Sequence, residues 1–215
     1  MPVRRSDPAT RRLTPDDRRQ QILATARGLL DRHTIDELSV EVVAKEAGVS
    51  AGLLFHYFGS QRKFRQAVMQ RAAEELLSHL APDPALSPAE QLRSGIETFV
   101  VYVGRHPAVY LAVVRFSKSG NDLGVLHRTV RATLAEWILA GLEQSGLPMT
   151  PAVTMTVAGW LAFMEEAVLG WLDKRQVTRE ELVDLCERGA YQLVAAALDD
   201  PERWEQVRAA MQQRH

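Results

Sequence analysis

The residues of this chain able to do covalent or acid–base chemistry are six histidines, one cysteine and two adjacent glutamates. Cys186 stands in a helical pattern with Leu182 and Leu185, the setting of a buried structural thiol rather than of a nucleophile. The histidines occur singly. His106 and His127 could reach a pocket, although a hydrogen-bonded structural role suits them better. Glu165 and Glu166 are neighbours, so on a helix they point about 100° apart and cannot share one site as an acid–base pair. Either alone could meet a polar ligand atom in a cavity, and a surface or interface salt bridge serves it equally well. A Gly-rich phosphate loop, a nucleophile elbow and an HExxH motif are all missing. Neither an enzyme nor a cofactor or metal site is expected.

The spacing that does carry chemistry runs from Ser39 to Phe64, SVEVVAKEAGVSAGLLFHYFGSQRKF, and its chemistry is hydrogen bonding to a nucleic acid. Ser39 offers a hydroxyl to the unpaired amides of a helix start. Val42, Val43 and Ala47 then recur at helical spacing, with Lys45 and Glu46 on the other face. Gly48 falls where the helix ends and the chain reverses, a position that favours positive φ. Ser50 caps a second short helix, in which Leu54 and Phe58 face inward. Ala51, Gly52, Leu53, Phe55, His56 and Tyr57 are left facing out. A tight helix–turn–helix of this kind lays its second helix in a DNA major groove. An ordinary helical hairpin closed by glycine has the same pattern. On the DNA reading, small residues bring the helix start close to base edges, Leu53 meets a thymine methyl, His56 reaches a base and Tyr57 a phosphate.

AKEAGVS, followed by LFHYF and then GS before a charged helix start, resembles the DNA-binding segment of the TetR family of transcriptional regulators. The resemblance is close over roughly the first third of the chain; the remainder is similar only in being all-helical and of suitable size. It implies that Val40 and Glu41 also approach DNA; Ser39, Ser50, Gln61 and Arg62 complete the expected DNA-facing set. It further implies a homodimer on a pseudo-palindromic operator, and repression relieved when a small effector binds in the body; the aromatic and Met residues available there suit an apolar or amphipathic one. A dimer of the same shape that binds DNA constitutively, or under a protein partner's control, is the alternative. Three positions depart from the family's usual pattern: Leu53 stands where Thr is common, Phe55 where Tyr is, and Gln61 where Lys is. Phe55 cannot make a phosphate hydrogen bond and Gln61 supplies no charge.

The elements that must position these residues are helices throughout, so the expected fold is all-α. It comprises an N-terminal three-helix helix–turn–helix domain and a helical ligand-binding and dimerisation domain. Residues 1–13 form a polar basic arm with Arg4, Arg5, Arg11 and Arg12, either a solubilising tail or a phosphate and minor-groove contact. Residues 14–60 make the DNA-binding domain, 61–81 a connecting helix, and 82–215 the body. Charge follows this division. Up to Arg65 there are 12 Lys and Arg against 8 Asp and Glu, a net +4, while the remainder carries 14 against 19, a net −5. A basic head on an acidic body suits a DNA reader better than the overall −1 suggests.

Punctuation sets the helices. Thr14-Pro15-Asp16-Asp17 opens one that runs to about Arg32, with Ile22, Ala26, Leu29 and Leu30 inward. Ser60, the Ser87-Pro88-Ala89-Glu90 and Thr178-Arg179-Glu180-Glu181 capping boxes, Thr150-Pro151 and Asp200-Pro201 open others. The helix from Pro151 to Leu172 is apolar nearly all round. Glu165, Glu166 and Gly159 argue against a membrane span, so its outer face is expected to meet a second subunit. Trp171, Leu182, Cys186, Gly189, Ala190 and Leu193 are the expected dimer interface. Phe99, Tyr102, Tyr110, Phe116, Trp137, Trp160, Phe163 and Met164 are the expected pocket, although aromatic residues at helical spacing equally make plain core. One cysteine and no signal peptide point to the cytoplasm.

Overall fold

The computed structural model describes residues 14–115, 122–198 and 200–213. The arginine arm, Phe116 and the loop through Asn121 therefore lie outside the described residues. Ten helices and no strand occur among the described residues: α1 (Pro15–Leu29), α2 (Val40–Ala47), α3 (Ala51–Phe58), α4 (Gln61–Leu80), α5 (Pro88–Arg105), α6 (Pro107–Arg115), α7 (Asp122–Gln144), α8 (Pro151–Lys174), α9 (Arg179–Leu198) and α10 (Pro201–Met211). The fold is all-α, as expected. Two compact units, Met1–Val68 and Met69–His215, divide the chain, and the division falls inside α4.

The helix starts follow the local chemistry closely. Thr14 and Asp17 form a reciprocal capping box, and so do Ser87 and Glu90. Thr178 and Glu181 exchange the same pair of bonds at α9. Ser39, Ser50, Ser60, Thr150 and Asp200 each accept from the backbone three residues on. Gly48 ends α2 at φ 65°, the left-handed region where a side chain would be strained.

In the first unit α1 packs on α2 and α2 on α3. Ile22, Ala26, Leu30, Val43, Leu54 and Phe64 are fully or almost fully buried, and Phe58 meets Phe64 edge-on at 5.1 Å between ring centroids. The helical period is right for α2 but its phase differs from expectation. Val40, Val43 and Ala44 face the core, whereas Val42 is 39% exposed. Helix α1 ends at Leu29, three residues early, because the 30–33 segment tightens into turn bonds onto Leu29 and its neighbours.

In the second unit α8 and α9 are the most extensively packed pair, with α5 against α9 and α7 against α8. Its apolar interior has two parts. One gathers Ile96, Val100, Val103, Leu161, Val168 and Cys186, and the other Leu147, Val153, Val157, Trp204, Val207 and Met211, so α10 closes the end of the bundle.

Candidate functional site

Helix α3 is eight residues long and too short to hold itself together in water. Two anchors hold it. Ser50 Oγ accepts from the Leu53 amide at 3.2 Å, and Leu54 and Phe58 sink into the head at 0% and 6% exposure. The opposite side is left open: Gly52, Phe55 and His56 are exposed, and Ala51, Leu53 and Tyr57 are half-buried. The His56 and Tyr57 rings meet edge-on at 5.6 Å, which restrains both. A face of this composition can offer a hydrogen bond from His56, a phenol from Tyr57 and apolar contact from Leu53 and Phe55. Those are the means by which a helix reads a major groove.

Helix α2 stands beside it with a different electrostatic character. Glu41 is exposed in its first turn, and bonds from its own backbone amide and from Ser39 hold its carboxyl below the usual carboxylate range. Glu41 is therefore ionised at neutral pH, suiting the helix start but opposing a nearby phosphate. Exposed Arg62 and Lys63 at the start of α4 bring positive charge.

Two of the expected DNA contacts have other duties. The Val40 side chain is 1% exposed and belongs to the head core, because it begins the inward 40–43–44 series. It cannot touch DNA. Gln61 Oε1 accepts from the Val40 amide at 3.0 Å and its Nε2 donates to the Leu38 carbonyl at 2.7 Å. Gln61 thus staples the start of α2, satisfying an amide that no helical bond reaches. Arg65 donates to the same Leu38 carbonyl and to that of Asp36.

The body contains two neighbouring cavities, of about 100 and 60 Å³. Trp137 and Trp160 line the larger, Tyr102 and Tyr110 the smaller, and Phe99 and Met164 both. Phe163 lines neither. It is 38% exposed and lies over Gly189, where an added Cβ would approach its ring to 3.1 Å. The smaller cavity also carries a polar group of residues that was not assembled from sequence. His127 Nε2 lies 2.8 Å from Glu165 Oε1, Arg131 donates to Glu165 Oε2 at 3.1 Å, and Arg131 also donates to the Ala158 carbonyl at 2.7 Å. The signal was present: Leu161, Glu165 and Val168 are four and three apart, which puts Glu165 inward and Glu166 outward. Neither Cys186 nor His106 lines either cavity. Burial pushes the Cys186 thiol up to about 11, the wrong direction for a nucleophile. Among the described residues no three His, Cys, Asp or Glu side chains are placed to hold a metal ion.

Four of the six expected interface residues are instead the protomer's own core. Leu182, Cys186 and Ala190, spaced by four, form the inward stripe of α9, and the Trp160 indole donates to the Cys186 carbonyl at 2.9 Å. Trp171 is 9% exposed and donates to the Val177 carbonyl. The outward stripe is Leu185, Gly189 and Leu193, with Phe163 of α8 lying over Gly189. Met155 on α8 is also exposed, at 75%. Helix α8 is long and apolar enough to cross a bilayer, but its inner stripe packs into the bundle and Glu165 at its centre is ion-paired.

Comparison with known proteins agrees over most of the chain. Residues 22–68 match the family model for bacterial regulatory proteins of the tetR family, and residues 88–193 match a tetracyclin repressor-like C-terminal domain. The HTH-type transcriptional regulator EthR of Mycolicibacterium smegmatis is 30% identical over 152 residues, covering 66% of this chain and 70% of the relative. EthR of Mycobacterium tuberculosis is 36% identical over 104 residues, 46% of this chain and 48% of the relative. Among solved structures, a tetR-family regulator from Streptomyces coelicolor superposes with a TM-score of 0.80 at 26% identity, covering 93% of this chain and 90% of that one.

Proposed function

Because this chain belongs to the TetR family of transcriptional regulators and carries that family's DNA-binding helix–turn–helix, we propose that it is a ligand-responsive repressor acting as a homodimer on a pseudo-palindromic operator. The observation that carries the DNA part is the outward face of α3, where His56, Phe55, Leu53 and Tyr57 are presented by a helix whose other side is anchored. With Ser39, Glu41, Ser50, Ala51, Gly52 and Arg62 around it, this face takes one operator half-site. Two copies related by a two-fold axis then read grooves about 34–36 Å apart. Such a regulator works where the chromosome is, in the cytoplasm.

The dimer is supported by the outward face of α8 and α9, where Met155, Phe163, Leu185 and Leu193 are exposed around the small residues Gly159 and Gly189. Small residues allow close helix approach, and a two-fold axis across this face buries the same patch on both copies as a four-helix bundle. An aspartate at Leu193 in the same protein, tested by analytical ultracentrifugation, is expected to give monomers; a dimer unaffected by Leu193→Asp places the interface elsewhere.

The ligand part is supported by the cavities, which lie beside Leu76 and Leu80 of α4. A ligand filling them presses on the helix that begins in the head. It releases DNA only if it binds the DNA-incompetent form more tightly, since equal affinity for both forms shifts nothing. Selection of bound fragments from genomic DNA by the purified protein tests the whole reading. Enrichment of a two-fold related sequence is expected, and failure to enrich any at low salt overturns it.

A further inference from the structure

The two cavities share four lining side chains, Phe99, Leu134, Leu161 and Met164, which form the partition between an apolar chamber and one with polar groups at its wall. Tyr110 belongs to the polar side. It is 8% exposed, its hydroxyl is buried, and among the described residues that hydroxyl has no hydrogen-bond partner. Buried polar groups are nearly always satisfied, so an orphaned donor at a cavity wall marks a place where an acceptor is wanted. Burial, with the negative charge of Glu165 nearby, raises the Tyr110 phenol far above its ordinary range, so it remains a neutral donor at any physiological pH.

The charges around it are already matched. Glu165 takes both His127 and Arg131, and Arg131 is tied again to the Ala158 carbonyl. An anionic head group would have to compete with Glu165 for Arg131, and a cationic one with Arg131 for Glu165. An uncharged acceptor displaces neither. The apolar remainder of such a molecule has room past Met164, in the chamber lined by Trp137 and Trp160. Met is the side chain best suited to yield there, being unbranched and adaptable.

We propose, resting on the ligand-responsive reading above, that the effector is an uncharged amphipathic molecule whose carbonyl or ether oxygen accepts from the Tyr110 hydroxyl while its apolar body crosses the Met164 partition into the larger cavity. Leu134 and Met164 set the length of the body and Tyr110 selects the head.

Full-length protein titrated with 4-phenyl-2-butanone, butylbenzene and 3-phenylpropanoate, each by ligand-observed NMR and thermal shift, tests this. The ketone should bind about fivefold to tenfold more tightly than the hydrocarbon, the worth of one neutral hydrogen bond. The carboxylate should bind more weakly than the ketone. Tyr110→Phe should abolish the ketone's advantage, leave butylbenzene affinity unchanged, and hold or raise the Tm of the ligand-free protein, because it removes an unpaired hydroxyl. A ketone preference that survives Tyr110→Phe overturns the proposal, as does tighter binding of the carboxylate. A fall in ligand-free Tm on Tyr110→Phe also overturns it, since the hydroxyl then already has a partner. If the hydrocarbon binds but the ketone gains nothing, the polar subsite fails and the ligand-responsive reading stands. If none of the three binds, that reading fails with it.

Discussion

The head and the body spend their apolar residues differently. In the head, the aromatic residues of α3 and α4 split cleanly: Phe58 and Phe64 lock together inside, while Phe55 and Tyr57 are directed outward. In the body, aromatic residues ring spaces they do not fill. Recognition by the head therefore rests on side chains that can be changed without touching its core. The recognition proposed for the body would rest on what its core leaves out, so any change there acts on stability as well.

The sharpest test of that contrast is Leu54→Ala, which deletes a fully buried side chain under the reading helix. It should cost about 2–5 kcal/mol of head stability and remove DNA binding. All four tryptophans lie in the body, so tryptophan fluorescence follows the body while circular dichroism at 222 nm follows both units. The urea transition seen by fluorescence should stay in place. If it moves with the helical signal, the units unfold as one and the contrast fails.

His56→Ala should leave stability unchanged and lose about 1–3 kcal/mol of discrimination between cognate and random DNA, measured as a ratio of affinities at one salt concentration. Equal losses on both would remove His56 from base reading. Gln61→Lys, which restores the residue common in the family, keeps a donor for Leu38 but removes the acceptor for the Val40 amide. It should lower the head's unfolding free energy by about 1 kcal/mol in denaturant melts while steepening the salt dependence of DNA binding. A steeper salt slope with no loss of stability would show that the staple carries no energy.

The smallest effect is expected at the start of α9. Hydrogen bonds from Thr178 hold the Glu181 carboxyl below its ordinary 4.5. A carboxylate with a depressed folded value stabilises the fold above its unfolded value, and that contribution fades as pH falls through the folded one. Melts of Glu181→Gln against wild type should therefore differ near neutrality and converge at low pH. Divergence on acidification would contradict the capping box.

Much of the fold was legible because its signals are local. Caps at Thr14, Ser39, Ser50, Ser87, Thr150 and Asp200, and the turn at Gly48, depend on atoms within four residues, and each appears where the sequence implies. Val40 and Val42 were exchanged because an eight-residue helix rich in valine has two apolar faces of similar strength, and only the partner packed against it chooses. Leu182, Cys186 and Ala190 were expected outside for the same reason. On α9 both the 182–186–190 and the 185–189–193 stripes are apolar or small. The stripe that meets α8 and α5 becomes core.

By itself the sequence determined the opening signals of eight of the ten described helices, the anchored α3 with its His56 face, and the chain's membership in its family. All of these follow from short-range hydrogen bonding and from the order of residue types. Only the tertiary structure decided which side of α2 and α9 faces in, that Gln61 is a staple rather than a missing charge, and that Glu165 gathers His127 and Arg131 beside an unpaired Tyr110. Those are meetings between residues far apart along the chain, from 21 positions for Gln61 and Val40 to more than 90 between α5 and α9, and no periodicity along one helix can specify what another helix brings to its side.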